Sequence, residues 1–526
     1  MALNMADIFE HAADAFPGRV ALIYGDRQVT YAELEDEANR LAHHLAASGA
    51  GPGGHVGLYA RNSVEAVETL LAAIKLRAVA ININYRYLGG ELSYHLRDAD
   101  LAALVHDQDL APIVDAVVAP GLPRVTIGGN YDEALRAASG ARDFGPRSAD
   151  DIYIIYTGGT TGHPKGVMWR HEDIWRTLGG GIDFVTGERL DDEWAQSRTG
   201  AEDDGMVRMA PAPLIHGAAM VATLACLFIG DTAVITPRFD PHVVWEAVQR
   251  HQVNVLSIVG DAMARPLMEA LEAGDYDTSS LISLNSTAAL FSPAVKDACT
   301  KALPNVFISE AIGSTETGFA GIAFVSADDE HRGGPTVSAG PDVIVIDEAG
   351  GVCGPGQTGK LARGGHVPLG YHRDPVKTAE MFTEVNGRRY AVPGDWARVE
   401  EDGSITLLGR GNTCVNTGGE KVYPEEVEGA LKSHPDVFDA LVIGVPDDRL
   451  GHRVAALVQL RPGVTADPGA LQAHVRGQLA GYKTPRTIWF VDSVGRTVSG
   501  KADYGWARRY VAEHPPATFA QTERAP

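Results

Sequence analysis

Residues 156–166 read Tyr-Thr-Gly-Gly-Thr-Thr-Gly-His-Pro-Lys-Gly, a run of glycines and hydroxyls closed by a lysine. Gly158, Gly159 and Gly162 let a backbone turn tightly and bring its N–H groups close to an anion. Thr157, Thr160 and Thr161 add hydroxyl donors and Lys165 adds a positive charge, so the chemistry on offer is phosphate binding. A P-loop needs G-x-x-x-x-G-K-[ST] with the lysine opening a helix. Pro164 before Lys165 and Gly166 after it exclude that motif. The plain alternative is a polar surface turn. Against it stands the apolar run 152–155, which reads as a buried strand delivering the loop to the end of a sheet, where ligands bind.

Further segments carry chemistry-bearing residues. In 312–318, Ile-Gly-Ser-Thr-Glu-Thr-Gly, Glu316 stands among hydroxyls and offers the hard oxygen that Mg²⁺ prefers. Alone it reads better as a glycine turn with an exposed acid. Asp395 in Gly-Asp-Trp and Arg410 after Gly409 offer a carboxylate for ribose hydroxyls and a guanidinium for phosphate. Residues 418–428 read Gly-Gly-Glu-Lys-Val-Tyr-Pro-Glu-Glu-Val-Glu, and Gly500-Lys501 puts a lysine on a glycine turn. His216, in Pro-Leu-Ile-His-Gly, reads on its own as a packed core histidine.

The elements that must position these residues alternate. Strand-like runs at 20–24, 55–59 and 103–105 interleave with helical patterns at 31–47 and 64–76, and the alternation continues through 253–259 and 306–309. This predicts a multi-domain α/β protein with a large N-terminal domain of layered α/β subdomains over 1–410. A glycine-rich β subdomain is expected within it at about 340–408. A small α+β C-terminal domain is expected over 411–526. Pro424 with Glu425 and Glu426 marks a helix entrance there, proline at the first position and acids complementing the dipole. Strands near 440–444, 455–460 and 487–491, a helix near 469–479 and a loose tail from about 513 complete it.

A chain of 526 residues is too long for one core, and 45% apolar with 21% charged residues is ordinary for a globular protein. Cys226, Cys299, Cys353 and Cys414 lie far apart with no C-x-x-C pair, which argues against a disulfide framework or zinc site and fits a cytoplasmic, reducing compartment. The N-terminal residues have no basic flank before an apolar stretch, so no secretory signal is read there. The longest apolar run, 218–229, falls short of the roughly 20 residues a membrane span needs. A net charge of −23 argues against nucleic acid as a partner, and makes polyanion binding depend on a few local cations and a metal ion.

Taken together and in order, from about residue 7 to 507, these segments resemble the adenylate-forming enzymes: acyl-CoA synthetases, peptide-synthetase adenylation domains and firefly luciferase. Thr-Gly-Gly-Thr-Thr-Gly with Gly-Glu-Lys-Val-Tyr-Pro-Glu-Glu-Val-Glu is most similar to actinobacterial synthetases acting on fatty acids and steroid side-chain acids. The resemblance implies an acid–thiol ligase with ATP and CoA as co-substrates and Mg²⁺ as cofactor. A carboxylate attacks the α-phosphate of ATP to give acyl-AMP and pyrophosphate, and a thiol then displaces AMP. It further implies that the loop from Thr157 through Gly158, Gly159, Thr160, Thr161 and Gly162 to Lys165 holds the β- and γ-phosphates, with Glu316 binding Mg²⁺ and Thr315 near the α-phosphate. Ala288, Ala311, Ile312 and Gly313 would line the nucleotide, Asp395 take the ribose, and Arg410 the ribose and phosphate. His216, with Ile312 and Gly313, would border the acyl pocket. Lys501 would bridge carboxylate and α-phosphate in the first step. Rotation of the C-terminal domain about a hinge at 411–413, with Asn412 at its centre, would then exchange Lys501 for Gly418, Gly419 and Glu420, which line the pantetheine tunnel.

The chain departs from the family's pattern at the adenine end. Ile312 stands where an aromatic ring usually stacks on adenine, a contact worth about 0.5–1.5 kcal/mol. Thr287-Ala288 stands where Gly-Gly is usual, and each added Cβ takes space beside the purine. Two readings follow: a compensated variation, or an adenylation-impaired enzyme that mainly thioesterifies a preformed acyl-adenylate. An acyl-AMP ligase loading a carrier protein is a third, although no carrier domain follows Lys501, and a non-catalytic adenylate sensor is a fourth. Gly179-Gly180-Gly181 leaves room for a bulky polycyclic acid or forms a surface loop. A homodimer is the default oligomer.

Overall fold

The computed structural model describes residues 3–157, 164–183, 186–190, 192–202, 204–326, 334–340, 342–411, 413–417, 420–447, 450–497 and 500–519. It is a mixed α/β structure with a large N-terminal domain and a smaller C-terminal one.

Two sheets dominate the large domain. One has seven strands in the spatial order Gly370–Tyr371, Lys165–Arg170, Ile152–Thr157, Val79–Asn82, His55–Tyr59, Leu101–Asp107, Arg124–Ile127. Its inner strands are parallel, and Lys165–Arg170 returns antiparallel to Ile152–Thr157. Both faces are buried, and the residues of Ile152–Thr157 divide between them with the two-residue period of a strand. Tyr153 and Ile155 join the main core, which also takes in the helices Tyr31–Ala47 and Val64–Lys75. Ile154 and Tyr156 face the opposite cluster with Val79, Ile81 and Leu104. The second sheet runs from Arg27–Thr30 at one edge through the parallel strands Val207–Met209, Val255–Ile258, Ser283–Thr287 and Phe307–Ser314, then through Gly318–Val325 into the antiparallel strands of the β subdomain.

Several elements coincide with the pattern read from sequence. Tyr31–Ala47 is a helix because Thr30 caps it: its hydroxyl accepts from the Glu33 N–H while Glu33 accepts from the Thr30 N–H, before an apolar stripe of Leu34, Ala38, Leu41 and Leu45. Other elements differ. The strand expected at 306–309 extends over Phe307–Ser314, and that expected at 103–105 over Leu101–Asp107. In both, pairing with long neighbours carries the strand past residues of weak strand preference.

In the C-terminal domain the long hairpin Val437–Asp447/Gly451–Leu460 again divides its residues between two faces. Ala440 and Val442 meet the helices Pro424–Lys432 and Pro468–Arg476, while Leu441, Ile443 and Val445 meet the helix Tyr504–Glu513. Residues read as a loose tail contain a short strand, Thr518–Phe519, paired with Thr487–Phe490. All four cysteines are free, and no helix among the described residues is long and apolar enough to cross a membrane.

Candidate functional site

The glycine–threonine segment joins two antiparallel strands, with Thr157 opposite Lys165 and Tyr156 opposite Gly166. The lysine therefore opens a strand, as the exclusion of a P-loop requires. Gly158, Gly159, Thr160, Thr161 and Gly162 lie outside the described residues. The hairpin is anchored by Asn82, at the end of the neighbouring parallel strand. Its side chain accepts from Tyr156 N at 2.8 Å, donates to Tyr156 O at 3.0 Å, and also donates to Ile215 O. Asn62 does the same one strand away, donating to Ala212 O at 3.1 Å and accepting from Leu214 N at 2.7 Å. These two buried amides satisfy irregular backbone that would otherwise be orphaned, and so fix the segment leading to His216 beside the loop.

Lys165 Nζ lies 5.2 Å from the centre of the Tyr371 ring, and the Tyr371 hydroxyl donates to Glu316 Oε1 at 3.1 Å. Tyr371 is delivered by the short strand Gly370–Tyr371, which pairs with Lys165–Arg170. One side chain thus joins the loop lysine to the carboxylate of the second sheet. Glu316 sits at the tip of the hairpin Phe307–Ser314/Gly318–Val325. The tip is tight: Ser314 N donates to Thr317 Oγ1 and Thr317 N to Ser314 Oγ, at 3.1 and 3.2 Å. Gly318 has φ +65° and packs so closely on Thr177 that a Cβ would stand 2.1 Å from its methyl. Trp169 Nε1 holds the Thr315 carbonyl at 3.0 Å.

Asp395 and Arg410 are register partners on the β-subdomain strands Asp395–Val399 and Ile405–Arg410, so both positions reach the same edge. The Arg410 side chain lies outside the description, as do Asn412, Gly418 and Gly419. Glu420 is exposed on the edge strand Glu420–Val422 of the small domain, and no described contact joins it to the Lys165–Tyr371–Glu316 cluster.

His216 precedes the helix Gly217–Ile229, whose first residue lies against Ile155 and Thr315. The residue is half-buried, and its Nε2, shut off from solvent, has no hydrogen-bond partner among the described residues. Burial first, then the charges of Lys501 and Arg86, push its pKa down to about 4, so the imidazole is neutral near pH 7. The small domain's glycine–lysine turn is seated against the large domain through Gly500. With φ +76°, that glycine lies where a Cβ would be 2.7 Å from the Ala262 Cβ.

At the other end, Ile312 is 6% exposed and belongs to the β-subdomain core with Ala320, Val337, Val343 and Leu361. Thr287 Oγ1 donates to Ala311 O at 3.1 Å. Ala288 has φ +67° and sits at the centre of a γ-turn closed by Ala289 N to Thr287 O at 2.9 Å, a strained form for any residue with a Cβ. The expectation that this position favours glycine thus has its physical basis in the backbone. Of the two readings of 179–181, acyl room or a surface loop, the packing favours neither: Gly179 and Gly181 are buried. Gly179 and Gly181 pack on Trp175, where Cβ atoms would stand 2.9 and 2.8 Å from its atoms, so their smallness accommodates that ring. Trp175 is held by Gln196 Oε1 at 2.6 Å.

Sequence reasoning missed Asn82, Asn62 and Tyr371. A polar amide ending the apolar strand Val79–Asn82 was the one available signal for the first. Among the described residues no group of three or more His, Cys, Asp or Glu could hold a metal ion.

Comparison with known proteins bears on the whole chain. The AMP-binding enzyme family matches residues 9–372, and the AMP-binding enzyme C-terminal domain matches 426–501. A 3-oxocholest-4-en-26-oate--CoA ligase of Rhodococcus rhodochrous is 50% identical, covering 98% of this chain and 97% of that protein. A medium/long-chain-fatty-acid--CoA/3-oxocholest-4-en-26-oate--CoA ligase of Mycobacterium tuberculosis is 51% identical over the same shares. Among solved structures, ATP-bound MatB from Rhodopseudomonas palustris superposes with a TM-score of 0.83 at 27% identity, covering 96% of this chain and 98% of that one.

Proposed function

The chain belongs to the AMP-binding enzyme family, and from that premise we infer that it is an AMP-forming acyl-CoA ligase acting on a hydrophobic carboxylic acid, either a steroid side-chain acid or a fatty acid. The carrying observation is the convergence of Lys165, Tyr371 and Glu316 from two sheets, with Gly500, next to Lys501 of the other domain, seated on Val259 and Ala262. Relatives at about 50% identity over nearly the whole chain support the acid class.

A carboxylate is a poor electrophile because oxide is not expelled, so activation through a mixed anhydride with AMP comes first. Such phosphoryl chemistry depends on positioning and charge stabilisation. In this reading, Thr157 to Lys165 bind the β- and γ-phosphates, and Lys501 holds the attacking carboxylate against the α-phosphate. Asp395 and Arg410 fix the ribose. Neutral His216 borders the acid without adding a charge that would hold the carboxylate away from phosphorus. Glu316 fits Mg²⁺, which usually takes one or two carboxylates and completes its shell with water and phosphate oxygens. That ion, when bound, neutralises phosphate charge. Tyr371 orients the Glu316 carboxylate through its hydroxyl. For the second step, a turn about Asn412 brings Gly418, Gly419 and Glu420 to the CoA arm.

The test is a panel of sterol side-chain acids carboxylated at carbon 26 and of C8 to C18 fatty acids with Mg-ATP and CoA, read as CoA esters by mass spectrometry. Turnover of one class with AMP release is the expected result. CoA esters from none of them would refute the reading.

A further inference from the structure

The helix Gly260–Ala273 presents Asp261, Arg265 and Glu269 at four-residue spacing, hence on one face, and each meets the small domain. Asp261 Oδ2 lies 3.4 Å from Lys432 Nζ, the Arg265 guanidinium 5.6 Å from the Phe438 ring centre, and Glu269 Oε1 3.2 Å from Arg461 Nη1. The outer pair is exposed. The inner one is not: the Lys432 side chain is 1% exposed and that of Asp261 9%. On its own domain Lys432 also faces Asp439, which Arg496 holds in a two-pronged bond at 2.9 and 2.6 Å. Lys432, Arg496 and Arg265 face Asp439, Glu428 and Asp261 there, and of these carboxylates Asp261 is the one contributed by the large domain.

Asp261 is equally tied to the other side. Its Oδ1 accepts from Ser292 N at 2.7 Å and its N–H donates to Leu290 O at 2.8 Å. Gly260 N donates to Ser286 Oγ at 3.1 Å, and Gly260, at φ +49°, lies so close that a Cβ would be 2.3 Å from Leu290 O. The segment held is 286–292, which contains the strained turn at Ala288. The flanking residues Val259 and Ala262 are the seat of Gly500, next to Lys501.

We propose that Asp261 is a positioning residue for the adenylation step, a two-sided latch whose carboxylate holds Lys432 of the docked C-terminal domain and, through Ser292, the nucleotide-facing turn. Seating of the small domain, and with it of Lys501, is thereby coupled to the shape of the turn that receives the nucleotide. The inference rests on the two-step reading above. Only the step that uses the docked orientation depends on the pair; thioester formation from supplied acyl-AMP does not.

The experiment measures both half-reactions separately: single-turnover acyl-AMP formation from acid and Mg-ATP, and CoA-ester formation from synthetic acyl-AMP. Asp261→Asn keeps an oxygen for Ser292 N–H and removes only the charge. It is expected to slow acyl-AMP formation about tenfold while leaving thioester formation within about twofold. Lys432→Glu is expected to slow the first step about a hundredfold, and Lys432→Arg to restore it. In the Asp261→Asn background, Lys432→Met is expected to cost nothing further, as a coupled pair requires. Equal loss in both half-reactions, no loss in either, or full additivity of the two substitutions overturns the proposal. Failure of the functional reading is distinct, since the unmodified protein would then form neither acyl-AMP nor CoA ester.

Discussion

The two ends of the nucleotide site are built on different principles. At the phosphate end, Lys165 and Tyr371 arrive from two strands of one sheet and Glu316 from a hairpin tip of the other, and they are fixed by side-chain contacts: a ring under a cation, a hydroxyl on a carboxylate, and Asn82 and Trp169 bracing the backbone behind them. At the proposed adenine end, Thr287, Ala288 and Ile312 would offer the nucleotide backbone and shape. The Thr287 hydroxyl is spent on Ala311, Ile312 is packed into the β-subdomain core, and Ala288 stands in a strained turn. On the proposed function, charge-assisted contacts would hold the reacting phosphates. The base is left to a surface whose form depends on its supports, Gly260 and Asp261 among them.

The largest effect that sharpens this contrast comes from outside both ends. Lys501→Ala should lower acyl-AMP formation about 10²- to 10³-fold, the usual loss when one preorganised charge-stabilising group is removed, and spare thioester formation from acyl-AMP. Pyrophosphate release against CoA-ester yield separates the two. Next is pH. The His216 pKa is depressed to about 4 in the folded protein, so below the unfolded value near 6.5 the unfolded chain binds the extra proton. The stability contributed by a neutral His216 is full above pH 6.5 and is lost as pH falls toward 4, by about 3 kcal/mol. Urea unfolding at pH 7 and 4.5 should show a smaller difference in His216→Gln than in the unmodified chain.

Tyr371→Phe keeps the ring under Lys165 and removes the hydroxyl from Glu316. Loss of a hydrogen bond to a charged group, about 1.5–3 kcal/mol, predicts a ten- to hundredfold fall in kcat for adenylation and a raised Mg²⁺ requirement, read by titrating the metal. Ile312→Tyr tests the other end. Because Ile312 is buried among Val337, Val343 and Leu361, the larger ring should overpack that core by about 1–3 kcal/mol and lower the melting temperature without tightening ATP binding. A clear fall in KM for ATP would mean that the ring had found adenine. Smallest is Ala288→Gly: release of the positive-φ strain is worth about 1 kcal/mol, partly offset by glycine's unfolded-state entropy, so KM for ATP should fall a few-fold with little change in melting temperature.

Legibility in the sequence followed locality. Thr30 with Glu33 marks the helix Tyr31–Ala47 because the capping box lies within four residues. Lys165 and Glu316, which the fold brings to one tyrosine, stand out in the sequence as candidate site residues because glycines and hydroxyls surround them in the chain. Tyr371 was not, since it enters only through pairing with a strand some two hundred positions earlier, and its own neighbours carry no motif. Asp261 is hidden for the same reason: its partners Lys432 and Ser292 belong to another domain and another loop. The Gly179-Gly180-Gly181 run misleads in the opposite sense, because small residues signal empty space equally well as space filled by a neighbour such as Trp175.

The central claim is that the two ends together still activate an acid with ATP. The most direct test is isotopic exchange between pyrophosphate and ATP, dependent on the cognate acid and run without CoA. Acid-dependent exchange, abolished by Lys501→Ala, is the predicted result. No exchange, with CoA ester forming only when acyl-AMP is supplied, would contradict it.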